Sequence, residues 1–192
     1  KLEATSSIKI DGSTLSASSR KPRNPARFGD GGTIQLSAET VELSNGTEVK
    51  ADTASKGNGG EVEISAKKLI VGGLDKRGGR TGILSETILS ANRDKSTLEG
   101  NAGAVTIRAE LVELRDGGYI STASKGFGNG GAVVIDADRL SIENGEVKSE
   151  GTHAGSAGSV DLRLAKGLSC YRHCSPRSHR RWFFIAAISS MS

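Results

Sequence analysis

The chain has 192 residues, of which 35% are hydrophobic, only 4% are aromatic and 26 are glycine. That mixture excludes a thick helical core and suits short strands joined by tight turns, while the lack of a three-residue glycine period excludes collagen. The net charge is +4, but Lys166, Arg172, Arg177, Arg180 and Arg181 put +5 into residues 165–192, which leaves −1 for residues 1–164 and argues against a nucleic-acid-binding body.

Residues 1–28 read as the end of a repeat unit, with alternating Ile8/Ile10, a turn at Asp11-Gly12, and Leu15/Ala17. A first glycine cluster, Gly29-Asp30-Gly31-Gly32, opens the next unit. It is followed by Ile34/Leu36, Ala38, Val41/Leu43, the turn Asn45-Gly46, and Val49/Ala51. The cluster recurs at Gly57–Gly60, Gly100–Gly103, Gly128–Gly131 and Gly155–Gly158, with spacings of 28, 43, 28 and 27. Each copy brings the same pattern with it. Its first pairs are Val62/Ile64, Val105/Ile107, Val133/Ile135 and Val160/Leu162. The small residues that follow are Ala66, Ala109 and Ala137. Second pairs come next at Leu69/Val71, Val112/Leu114 and Leu140/Ile142, and third pairs at Ile83/Ser85, Ile120/Thr122 and Val147/Ser149. The long spacing is one unit carrying about fifteen extra residues, expected near 72–86.

Period-two alternation places each pair on one strand face. Three short strands with glycine at the corners, chosen for its tolerance of positive φ, make one coil of about 28 residues. Equivalent apolar positions then stack from coil to coil, because a lone coil has no partners for its backbone. The expected fold is all-β, a parallel β-helix over residues 1–164. On the first strand the outward column reads Ser37, Ser65, Arg108, Asp136, Arg163.

The segments Gly100–Ala109, Val112–Gly117 and Ile120–Ser124 resemble the repeats of filamentous-haemagglutinin-like exoproteins of two-partner secretion, and the inserted copy is similar to that family's longer repeat. The resemblance covers residues 1 to about 164. It implies that the parallel β-helix is right-handed, and that it is a non-catalytic, adhesive segment of a protein that leaves a Gram-negative cell through an outer-membrane transporter. Such a protein is secreted or displayed on the cell surface, where it meets receptors or glycans of host or neighbouring cells. The family's amino-terminal secretion domain has no counterpart here, and the chain, starting at Lys1, reads as a fragment. The family's binding residues have no positions to transfer to.

Other motifs reduce to simpler readings. Gly126–Gly131 matches GxGxxG, but a strand follows it where a dinucleotide site needs a helix. The glycine clusters hold Glu61, Ala104 and Ala132 where calcium repeats need Asp. Asp136 and Asp138, two apart on one face, are the best candidates for acid–base cleavage of a polysaccharide, the alternative function. Arg108 and Arg163 on the neighbouring coils would hold Asp136 ionised rather than tune it, so the pair reads better as a solvated face. Cys170, His173, Cys174 and His179 could ligate zinc, but without a second CxxC. We therefore assign no catalytic residue, no metal and no cofactor. The longest apolar run, Trp182–Ile188, has seven residues, too few for a membrane span. Residues 165–192 carry both cysteines and four of the seven aromatics. This tail fits a membrane-surface segment, a helix capping the open end or an out-of-frame stretch, and its change of composition points to a reading frame or gene disrupted near residue 165.

Overall fold

The computed structural model describes residues 1–19, 29–54, 57–87, 100–152 and 155–171. These are all-β, without a helix. The strands are β1 (Leu2–Glu3), β2 (Ser7–Asp11), β3 (Thr14–Ser16), β4 (Thr33–Ser44), β5 (Glu48–Lys50), β6 (Glu61–Gly72), β7 (Gly82–Leu84), β8 (Ala104–Arg115), β9 (Tyr119–Ser124), β10 (Val133–Glu143), β11 (Glu146–Gly151) and β12 (Val160–Tyr171). All pair in parallel within two sheets. The first runs β1-β4-β6-β8-β10-β12, with β2 also on β4, and the second runs β11-β9-β7-β5-β3. The chain thus alternates between sheets and returns one strand further along each time.

The register matches the repeat. Val105 lies between Val62 and Val133, and Ile107 between Ile64 and Ile135. Val62, Val105, Ile107, Val133 and Ile135 are fully buried and belong to one core, as do Val49, Ile83 and Ile120 of the second sheet. Each such side chain contributes roughly 1.5–3 kcal/mol on burial. The outward column Ser37, Ser65, Arg108, Asp136, Arg163 is also in register.

Three expectations need correction. The first two apolar segments of a unit form one strand of 11 or 12 residues, not two. In β4 the inward parity changes between Ala38 and Val41, and Glu39 drops out of the pairing while Thr40 resumes it with Lys68. From β4 to β10 the coils turn the same corner at the same place, so there the ladder bends without breaking. The second correction concerns the insertion. Leu43 to Val49 spans six positions and Val71 to Ile83 twelve, so only six extra residues lie in the 73–80 loop. The other nine fall between Ser85 and Gly100, where 88–99 lies outside the described residues.

The third correction is why glycine recurs. Positive φ does occur at the short turns, as at Asn45 (53°) and Gly46 (79°), but not at the clusters. There the lack of a side chain matters: a Cβ on Gly60, Gly103, Gly131 or Gly158 would sit on the carbonyl oxygen of a cluster glycine one coil before it. The residue beside them stitches the coils. The amides of Asn58, Asn101, Asn129 and Ser156 donate to the side-chain oxygens of Asp30, Asn58, Asn101 and Asn129 at 2.7, 3.0, 2.8 and 2.9 Å. Asn101→Ala strands the Asn129 amide and should lower stability by about 1 kcal/mol, whereas Asn101→Asp keeps the acceptor and should be near neutral. Urea midpoints at unchanged slope would measure both.

The ladder does not end at Leu164. β12 continues in parallel with β10 to Tyr171, taking up one extra residue so that Gly167 (φ 116°) pairs with Arg139. The rest of the basic, aromatic tail lies outside the described residues.

Candidate functional site

The carboxylate pair chosen from the sequence is not a cleft. Asp136 is exposed, and Asp138 Oδ2 is taken by Lys166 Nζ at 2.7 Å. Arg163 turns to Asp161 at 2.7 Å. The Gly126–Gly131 stretch is a corner leading into β10. Cys170 lies near the end of β12, and His173, Cys174 and His179 lie outside the described residues. No group of three or more metal-ligating residues occurs among the described ones.

A cleft of about 480 Å³ lies instead on the outward face of the second sheet. Its walls come from adjacent coils. Glu48, Lys50 and Asp52 are from the β5 coil, Arg80, Leu84 and Glu86 from the β7 coil, Tyr119 and Lys125 from the β9 coil, and Lys148 from β11. The side chain at Gly82 is missing where a neighbour is largest, and the Tyr119 ring lies over it. Arg80 closes that end. It projects from the 73–80 loop, stacks on Tyr119 at 4.7 Å from the ring centroid, and donates from Nε to the Gly117 carbonyl at 2.7 Å. Its NH1 reaches Glu146 at 3.2 Å. The loop itself is closed by Asp75, whose Oδ1 accepts the Arg77 and Gly79 amides, each at 2.7 Å. Those two bonds hold its carboxyl below the usual range.

The other end is a chain of buried polar groups. Asp52 (3% exposed) accepts the Glu86 amide on Oδ1 at 3.0 Å. Glu86 (6% exposed) accepts the Ser121 hydroxyl at 2.7 Å and holds Lys125 Nζ at 2.8 Å. Lys50, the cation nearest Asp52 in sequence, is drawn to Glu48 at 2.6 Å. Burial pushes the Asp52 carboxyl up to about 6, against the pull of the Glu86 amide and with a further push from the Glu86 charge. Burial lowers the Lys125 ammonium, but the bond to Glu86 and the charge of Glu86 outweigh it, so the net direction is upward. Burial, then Glu48 and Glu86, push the Tyr119 hydroxyl up to about 12.

The folded state therefore binds the Asp52 proton more tightly than the unfolded chain does. That contribution is complete below about pH 4 and is lost as pH rises through 6. Asp52→Asn should change stability little at pH 4 and raise it by on the order of 2–3 kcal/mol at pH 8. Urea unfolding across that range measures the difference, and equal gains at both ends would reject the assignment.

Reading the residues by column could have found this pair. The position after each inward third-segment residue holds Asp52, Glu86, Ala123 and Glu150, so two acids fall on adjacent coils. No family model, no curated protein and no solved structure matches the chain.

Proposed function

We propose that this chain is a run of coils from a right-handed parallel β-helix, serving as a stiff, non-catalytic adhesive segment of a filamentous-haemagglutinin-like exoprotein. The observation that carries the reading is the continuous parallel pairing from β1 and β2 to β12 around one apolar core. Right-handedness follows from the strong preference of crossovers between parallel strands of one sheet. At about 4.8 Å per coil the described coils make a rod roughly 25–30 Å long.

The mechanism is geometric. A rod stiffened by backbone ladders carries its loops away from the cell, and the 73–80 loop, with Leu74 half exposed at its base, is the variable contact. The partners are receptors or glycans on host or neighbouring cells, and the full-length protein reaches the bacterial exterior through its outer-membrane transporter. No helix among the described residues is long and apolar enough to cross a membrane.

A second reading, polysaccharide cleavage on the same scaffold, draws on the Asp52–Glu86 cleft rather than on Asp136 and Asp138. The two are separated by incubating the purified chain with cell surfaces and with a polysaccharide panel. The adhesive reading expects retention on a surface, weakened when the 73–80 loop is trimmed to the length of its counterparts, and no new sugar ends. Release of sugar ends that disappears in Asp52→Asn with Glu86→Gln would replace it with the enzyme.

A further inference from the structure

Four Asn-Gly pairs occur among the described residues: Asn45-Gly46, Asn58-Gly59, Asn129-Gly130 and Asn144-Gly145. A glycine after asparagine exposes its backbone nitrogen to the asparagine side-chain carbon, because no Cβ shields the approach. Whether the two atoms meet depends on what else holds them.

In three pairs both are held. Asn58 Oδ1 accepts the Asn101 amide at 3.0 Å, and the Gly59 amide donates to the Asn101 carbonyl at 2.8 Å. Asn129 Oδ1 accepts the Ser156 amide at 2.9 Å, and the Gly130 amide donates to the Ser156 carbonyl at 2.8 Å. Asn45 Nδ2 donates to Asp11 Oδ1 at 2.7 Å, and the Gly46 amide donates to Thr81 Oγ1 at 2.9 Å.

Asn144 differs. Its carbonyl accepts the Gly117 amide at 2.7 Å, but among the described residues no hydrogen bond holds its side chain or the Gly145 amide. Asn144 is exposed, and its φ of 54° is nearly that of Asn45 at 53°. Backbone conformation therefore does not distinguish them; tethering does. The turn is also one residue shorter than its counterparts, with five positions from Ile142 to Val147 against six from Leu114 to Ile120.

We infer that Asn144-Gly145 is a site of spontaneous deamidation in the folded protein. The Gly145 nitrogen attacks Cγ of Asn144, forming a C–N bond. The Cγ–Nδ2 bond breaks, and ammonia leaves with the proton that the Gly145 nitrogen gave up. Water then opens the five-membered imide at either carbonyl, giving aspartate or isoaspartate and releasing a proton. The product places a new carboxylate between Glu143 and Glu146, and in the isoaspartate form lengthens the backbone of that short turn by one methylene.

The test is a peptide-mapping time course on the full chain in mildly alkaline buffer, following the mass gained when an amide NH2 is replaced by OH. The same chain in concentrated urea is the reference in which all four pairs react. The inference expects Asn144 to react roughly tenfold or more faster than the three tethered pairs when folded, and the four to converge in urea. Asn144→Gln should remove the fast phase. Thr81→Val, which takes the acceptor from the Gly46 amide, should bring Asn45 up toward the rate of Asn144. Folded protein in which Asn144 is no faster than Asn58 or Asn129, or in which it stays intact over the time that urea exposes all four, overturns the inference.

Discussion

Ile107→Asp is expected to cost at least about 4 kcal/mol, the largest loss of any single change considered for the core. Ile107 is fully buried in β8 and lies in register between Ile64 of β6 and Ile135 of β10, both of them inward. An aspartate there has no cation to meet, so it must either keep its charge out of water or take up a proton and still leave an unmatched hydroxyl. The loss is not confined to one coil, because each coil draws its backbone partners from its neighbours. Urea unfolding followed by circular dichroism should show the transition moved far to lower denaturant or split into steps. Ser65→Asp is the control. Ser65 is exposed on β6 and pairs with Arg108, so the change should stay within about 0.5 kcal/mol. If Ile107→Asp behaved like Ser65→Asp, the inward assignment of the whole first column would be wrong.

That column was legible because burial on one face writes a period of two into the sequence, and stacking writes a period of 28 over it. The pairs around Val105 and Val133, the third pairs around Ile83 and Ile120, and even the outward order Ser65, Arg108, Asp136 could be read from spacing alone. Strand boundaries could not. The corner at Ala38 and Glu39 changes which face is inward and drops only Glu39 from the pairing, and no residue type marks whether a bend interrupts a parallel ladder. The cleft was hidden for a different reason. Asp52 and Glu86 lie just past the short strands β5 and β7, which are offset by 34 residues, not 28, because an insertion intervenes. The 28-residue period of the long strands therefore sets them apart, whereas Asp136 and Asp138 stand out because they are close in sequence, although they face solvent and Lys166.

Gly103→Ala should be nearly as damaging as Ile107→Asp, at about 4 kcal/mol, although it adds a single methyl group. The conformation of Gly103 is not the obstacle, since its φ is not in the left-handed region. A Cβ there would instead sit against the Gly60 and Gly59 carbonyl oxygens and the Ser85 hydroxyl. Two of the three are backbone atoms of the coil before, which cannot move without pulling that corner off its own neighbour. Overpacking of this kind costs about 1–3 kcal/mol. The third atom adds to it: Ser85 Oγ is buried and donates to the Gly60 carbonyl at 2.6 Å, and a methyl wedged beside it would separate donor from acceptor at a further cost of about 1–3 kcal/mol. The double variant Gly103→Ala with Ser85→Ala separates the two contributions. If the hydroxyl accounts for part of the loss, removing it should recover about 1 kcal/mol or more of the stability lost by Gly103→Ala alone, and the cycle should show coupling between the sites. Gly78→Ala is the counter-test, because Gly78 has open space around a positive φ of 83°. It should cost only about 1–2 kcal/mol, as local strain in a surface loop. A Gly78 loss equal to that at Gly103 would mean that backbone conformation, not the close approach of one coil to the next, is what the repeated glycines provide.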